Sequence, residues 1–472
     1  LDSIAVRKAP MSSSVASPSA KVRLDTSKPL WRTFLIFLMP MMATNVLQLA
    51  SNTTNSIVIG TMLGVHALSA MSGFFPILFL LISFVIGLGS GASVLIGQAY
   101  GANELVRVKA VAGTTLTVSI AMGLIIALFG GPFVESMLKV LHTPADVLAD
   151  ETAYAKIFLY SVPVLFVFII YTTITRGVGD SLTPFLALLV QNVVGLVMMI
   201  ALIKGWGGQP KMGVVSAAYA TIFSFLFTVI WMAIYLLWKR HPLAPDIVLL
   251  KQLKIDWKLS WLLIRVGVPT GIQVMLIALS EMAVMFLVNG YGSGATAAYG
   301  AVLQVWSYVQ LPAVSIGIAA SVFGAQAIGR GDNAQMAKIT RTGINLQFII
   351  TGLLVAVVYA FSRTILSLSI TDPAVVDVAD SLVKITLWSF LVYGLVSVLT
   401  GVMRSSGAVF WPTILSIFAI WAVQVPVSYV LSHRIGLDGV WIGYPVAYLV
   451  MFGLQAGYYL LVWRKKTHAR LI

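Results

Sequence analysis

Glu281 stands alone in the stretch QVMLIALSEMAVMFLVN, residues 273–289, an otherwise almost unbroken apolar run. A charged side chain at the centre of a bilayer costs about 2.5–3.5 kcal/mol on insertion scales, so a helix that keeps one turns it toward protein or a water-filled space. A carboxyl so placed can exchange a proton, hold a cation, or, when protonated, bridge neighbouring helices by hydrogen bonds. Of the 16 acidic residues, Glu281 is the one that the sequence puts deep within an apolar segment.

Uncharged polar residues form a second group. Asn45, Gln48, Asn52, Asn55 and Ser56 recur at spacings of three and four, which puts them on one face of a helix. Such a face is costly in lipid and must turn inward, either to line a cavity or to hydrogen-bond another helix. Ser389, Tyr393, Ser397, Thr400 and Arg404 make a similar line, and Gln304, Ser307 and Tyr308, then Gln424 and Ser428, make two shorter ones. Small hydroxyls taken singly read as packing residues, whereas Tyr393 and Gln304 read as cavity residues. The 18 Met and 12 Trp suit an adaptable apolar binding surface, although most must face lipid or core.

No set of residues suited to covalent chemistry appears. The chain has no cysteine, hence no disulfide and no thiolate metal site, and its five histidines (66, 142, 241, 433 and 468) are not paired for metal binding. A glycine-rich phosphate loop is also missing, so uphill transport by this chain has to be coupled to an ion. The expectation is a non-enzyme with no cofactor.

The elements that must carry these residues follow from composition. Of the 472 residues 59% are hydrophobic and 10% charged, with a mean hydropathy of +0.95, which marks an integral membrane protein. Twelve segments reach the roughly 20 apolar residues that a membrane helix needs: residues 30–63, 72–97, 105–131, 151–176, 181–203, 212–238, 259–290, 296–325, 335–361, 378–404, 409–432 and 437–463. The period-two alternation of barrel strands is absent. The formal charge of +14 raises the question of nucleic acid, but most of the 30 Lys and Arg residues, Arg176 and Arg404 among them, fall on one side if the N-terminus is cytoplasmic. That asymmetry is topological, puts both termini in the cytoplasm and leaves no nucleic-acid role. The first 28 residues are polar, Ser-rich and basic without an apolar core, so residues 1–29 read as a disordered cytoplasmic tail rather than a signal peptide, with Met11 a candidate start.

The chain also repeats itself. SVLIGQAYG at 93–101 matches SVFGAQAIG at 321–329, with Gln98 and Gln326 228 positions apart (326 − 98). RGVGDSLTP at 176–184 meets RSSGAVFWP at 404–412 in the same register, and Pro40 corresponds to Pro269 one position off it. An offset of 229 pairs Asn52 with Glu281. A unit of six helices, an even number, enters the membrane the same way twice, so the two copies form parallel lobes around a central cleft. The expected organisation is an N-lobe at 30–238, a cytoplasmic linker at 239–258, a C-lobe at 259–464 and a short cytoplasmic tail at 465–472.

These paired motifs, GQAYGA with AQAIGRGD and RGVGDSLTP with RSSGAVFWP, resemble those of the MATE family of multidrug and toxic compound extrusion antiporters, over most of the chain from Leu30 to Arg464. LVNGYGSGATAAYGAVLQV at 287–305 is similar to the branch with the DNA-damage-inducible members. The resemblance implies export of cationic or amphipathic compounds in exchange for H⁺ or Na⁺, by a bacterial inner-membrane protein that acts as a monomer. It differs in two places: Asn55 stands where many members have an Asp on the first helix, and Tyr393 stands where others have an Asp opposite a Glu on the seventh. Glu281 lies on that helix about one turn further from Pro269 than the family Glu. The expected coupling residues are therefore Glu281 and Tyr393, with Na⁺ at Glu281 the one metal to consider. The expected substrate-binding residues are Asn45, Gln48, Asn52, Asn55, Gln304, Ser307 and Gln424. Proton and organic cation would compete for one carboxyl, so that binding one expels the other.

Three other readings are weighed against this one. A lipid-linked saccharide or polyisoprenoid flippase of the same superfold should carry basic residues inside its cleft, and the helices show almost none near mid-depth. A major-facilitator transporter shares the parallel repeats but not the loop GQAYGANELVRVK after the second helix. A membrane enzyme would need paired acids or a His and Asp cluster at membrane depth.

Overall fold

The computed structural model describes residues 29–64, 67, 71, 73–140, 143, 147–206 and 212–472. The expected tail before residue 29, His66 and His142 lie outside the described residues. The helices are α1 Leu30–Leu63, α2 Phe75–Gly101, α3 Leu105–Val140, α4 Leu148–Gly177, α5 Leu182–Lys204, α6 Val215–Trp238, α7 Trp257–Asn289, α8 Ser293–Gly329, α9 Gln335–Ser367, α10 Pro373–Thr386, α11 Ser389–Ser405, α12 Phe410–Phe418, α13 Val425–Ile435 and α14 Leu437–Tyr458. π-helical stretches follow α12 (Ala419–Gln424) and α14 (Tyr459–Trp463), and a five-residue helix, Ile247–Lys251, sits in the linker. Among the described residues eleven spans are long and apolar enough to cross a membrane, and the pair α10 and α11 makes a twelfth, bent by 45°. This is an all-α polytopic membrane protein. Its outer surface is apolar where lipid would touch it, as on α3 with Ile125, Leu128, Phe129 and Phe133 exposed, while Trp238, Trp257 and Trp261 form a tryptophan belt near the linker.

The tenth segment, unbroken in sequence, is broken in structure for a local reason. The Tyr359 hydroxyl from α9 receives the Trp388 N–H at 3.1 Å and donates to the Lys384 carbonyl at 3.1 Å. It replaces the helical bond between those two residues, and a side chain inserted in the ladder bends a helix.

The two halves of the chain meet along a seam that keeps to the linker end. On α2, Gly87 and Gly91 face Gly267 and Gly271 of α7 so closely that a Cβ on Gly87 would lie 2.5 Å from the Gly267 carbonyl oxygen. Without Cβ atoms the two backbones approach as small-residue membrane interfaces do. The repeat-related pair, α1 and α8, meets through Phe34 and Phe37 against Phe323, and through Asn45, whose Nδ2 donates to Ser315 Oγ at 3.0 Å. At the end of the seam Gln98 and Gln326 cross: Gln98 Nε2 donates to the Ser405 carbonyl at 2.8 Å and Gln326 Nε2 to the Gly177 carbonyl at 3.3 Å. The segment after α14 adds a strap, with Leu471 N–H donating to Gln98 Oε1 at 2.8 Å and Arg470 reaching Glu104 at 3.2 Å.

The linker is docked rather than loose. Asp246 caps its short helix by accepting from Leu249 N–H at 3.0 Å and pairs with Lys109 of α3, while Tyr171 donates to the Leu243 carbonyl at 2.7 Å. Gly113 on α3 gives the Gln252 carbonyl room, since a Cβ there would lie 2.3 Å from it. Burial pushes the Asp246 carboxyl up, but Lys109 and the Leu249 N–H outweigh it and hold the group below the usual carboxylate value.

Candidate functional site

Between the halves, beyond the closed seam, lies a cavity of about 760 Å³. α1 contributes Gln48, Asn52 and Asn55, α5 contributes Gln191 and Asn192, α7 contributes Gln273 and Glu281, and α8 contributes Gln310. Tyr393, Ser397, Thr400 and Arg404 come from α11, and the π-helical stretch before Pro426 presents Gln424. That stretch is held by Trp421 Nε1, which donates to the Leu276 carbonyl of α7 at 3.1 Å. Asn52 and Glu281, paired by the repeat, thus line one cavity from opposite halves.

Glu281 is held by two tyrosines that the sequence did not single out. Its Oε2 accepts from Tyr299 of α8 at 2.9 Å and from Tyr444 of α14 at 2.9 Å, and the two hydroxyls lie 2.6 Å apart. Both rings are fully buried, Tyr299 stacked on Trp441 at 5.5 Å and Tyr444 edge-on to Trp306 at 4.8 Å. Three oxygens in mutual hydrogen-bond contact need three hydrogens to make every contact. With both tyrosine hydrogens directed at Oε2 the contact between the hydroxyls has none; a proton on Oε2, which then donates to one tyrosine and accepts from the other, supplies the third and completes the ring.

The other expected residues separate into two sets. Gln48, Asn52, Asn55, Gln424 and Tyr393 line the cavity, Tyr393 beside Tyr448 at 5.2 Å between ring centroids and not in the Glu281 ring. Asn45 is spent on Ser315 across the seam, Gln304 is exposed away from the cavity, and Ser307 donates to the Leu303 carbonyl of its own helix. The polar line on α8 therefore corrects the reading from spacing: it faces away because Trp306, Val302 and Val309 turn inward instead. Two basic residues join the lining: Arg176 and Arg404, counted from the sequence among the cytoplasmic-side charges, with Arg404 also on the polar line of the tenth segment, line the cavity. Arg404 Nε, Gln424 Nε2, Asn192 Nδ2 and Thr270 Oγ1 are buried lining atoms with no hydrogen-bond partner in the protein.

The MatE family model matches this chain twice, over residues 40–201 and 269–430, one match to each copy of the repeat. The chain belongs to the MATE family. It is 47% identical over 449 residues to the probable multidrug resistance protein YoeA of Bacillus subtilis (strain 168), covering 94% of this chain and 97% of that protein. It is 27% identical to the probable multidrug resistance protein YpnP of the same organism, covering 89% and 92%. A structure described as the outward-facing conformation of a multidrug resistance MATE family transporter superposes with a TM-score of 0.82 over 93% of this chain and 97% of that one, at 22% identity. This MATE protein is a secondary transporter that spans the membrane many times.

Proposed function

We propose that this MATE protein is an antiporter that exports cationic or amphipathic drugs and toxic compounds in exchange for protons, by alternating access between its two lobes. It acts as a monomer in the bacterial inner membrane with both termini and the linker cytoplasmic, and the segment 287–305 supports its place in the branch with the DNA-damage-inducible members. With that orientation the clasped seam closes the cytoplasmic side and the cavity opens outward. The observation that carries the coupling is the three-oxygen ring at Glu281, which needs a proton to be whole. Proton release leaves a carboxylate whose two tyrosines can no longer bond each other as well, and an organic cation entering the cavity then has an anion to meet. Hard cations bind oxygen at about 2.0–2.6 Å, which spreads ligating oxygens apart. Hydroxyls 2.6 Å apart favour H⁺ over Na⁺ as the coupling ion.

The test is uptake of a fluorescent cation into liposomes under an imposed pH gradient or an imposed Na⁺ gradient, for wild type and Glu281→Gln. The expected result is exchange driven by the pH gradient alone, abolished in Glu281→Gln. Full-rate exchange by the substituted protein would overturn the role of Glu281, and exchange driven by Na⁺ would overturn the choice of ion.

A further inference from the structure

Arg176 and Arg404 take no part in the Glu281 ring, and nothing in the coupling scheme uses them. They are the last-turn residues of α4 and α11, and they correspond to each other in the repeat. Each is followed by the residue whose carbonyl receives a clasp glutamine, Gly177 from Gln326 and Ser405 from Gln98. Both arginines thus line the cavity at its clasped end, which is its floor, one from each half. Among the described residues Glu281 is the only acidic one lining the cavity, and it lies in the last third of α7, toward the opposite end of the cavity. Among the described residues neither arginine makes an ion pair, and Arg404 Nε is buried without a hydrogen-bond partner.

Two unpaired guanidiniums in a closed-in floor repel a cation and attract an anion, and each presents the planar fork that fits carboxylate or phosphate oxygens. We propose that the floor of the cavity is an anion subsite in which Arg176 and Arg404 together receive a carboxylate or phosphate group of the transported compound. The rest of such a ligand lies against the apolar wall of Ile86, Leu165, Phe168, Val314 and Ile318. The ligand class is an amphiphile with one acidic group, zwitterionic where a cationic centre also points toward Glu281. This rests on the cavity being the transport cavity of the proposed function and narrows what it carries.

The test is equilibrium binding to the purified protein in neutral detergent of two dyes that differ in one group, tetramethylrhodamine with its free carboxylate and its methyl ester, followed by fluorescence polarisation. The wild type binds the free acid about tenfold more tightly than the ester, as one net ion pair in a secluded site would give. The ratio falls to about one in the Arg176→Gln, Arg404→Gln double variant, stays intermediate in the Arg→Lys pair, and ester binding reports that each variant is folded. Equal wild-type affinities, or a ratio unchanged by the double variant, would overturn the subsite. Competition names the source of the anion: displacement of the free acid, and not of the ester, by a short-chain phosphatidylglycerol makes it a lipid headgroup, and an acid preference resistant to that lipid makes it a soluble carboxylate. Binding without a gradient is independent of coupling, so Glu281→Gln retains the acid preference even though it abolishes exchange. Loss of one result without the other separates the two proposals.

Discussion

The Glu281 carboxyl meets the hydroxyls of Tyr299 and Tyr444, contributed by two other helices. Tyr299 and Tyr444 are ordinary in membrane helices, where tyrosine serves core and interface alike, and only the packing of α7, α8 and α14 brings them to one oxygen. Tyr444→Phe removes one hydrogen from the ring and leaves Tyr299 and Glu281 to pair alone. The expected outcome is a loss of about 1–3 kcal/mol in thermal stability, the usual consequence of breaking a buried hydrogen-bond set. A changed pH midpoint of exchange should accompany it, whereas Tyr393→Phe, outside the ring, leaves that midpoint where it was. Thermal unfolding and the pH profile of exchange in liposomes check both parts. Arg176 and Arg404 present the opposite case: the repeat marks them as a pair, but a basic residue at a helix end looks like any topological charge until its side chain is seen to turn inward.

At the scale of elements, length and hydropathy identify every span, and they miss the bend in the tenth because its cause is a hydroxyl on another helix. The linker was legible as a charged interruption but not as a docked element. His241 shows what holds it: Nδ1 accepts the Leu243 N–H at 3.1 Å, which leaves the proton on Nε2, 3.5 Å from Asp180 Oδ2. Burial pushes the His241 ring below its ordinary value of 6.5, with Asp180 opposing and Lys239 adding to the shift. The undocked ring therefore takes up its proton at higher pH than the docked one. Docking is at full strength above 6.5 and weakens as pH falls below it. Asp246, lowered from 3.8, acts in the same direction only in much stronger acid. Limited proteolysis of the linker should be faster at about pH 5.5 than at about pH 7.5, and His241→Gln, which keeps an acceptor and a donor but does not titrate, should flatten that difference. A wild-type linker cut equally fast at both values would contradict this account.

At the scale of the whole molecule, the glycine seam and the Gln98–Gln326 clasp hold one side shut while the far end of α1, with Thr53, Thr54 and Ile57 exposed, stands apart. Breaking both crossed bonds with Gln98→Ala and Gln326→Ala should favour the opposite state. The absence of cysteine makes the measurement clean: with Ser397→Cys placed in the cavity wall, a membrane-impermeant maleimide applied from the linker side should label the double variant several-fold faster than the clasped protein, and equal rates would show that the clasp does not gate access. By itself the sequence determined that the chain crosses the membrane many times as apolar helices, that one unit is written twice along it, and that one carboxyl lies deep within it, because hydropathy, repeat register and a lone charge are properties of residues in order. Only the tertiary structure decided which polar face met the cavity, which hydroxyls surrounded Glu281 and that two arginines were turned inward. Those depend on the rotation and approach of helices far apart in the chain, and a helix bearing polar residues on several sides does not state in its own sequence which side its neighbours will cover.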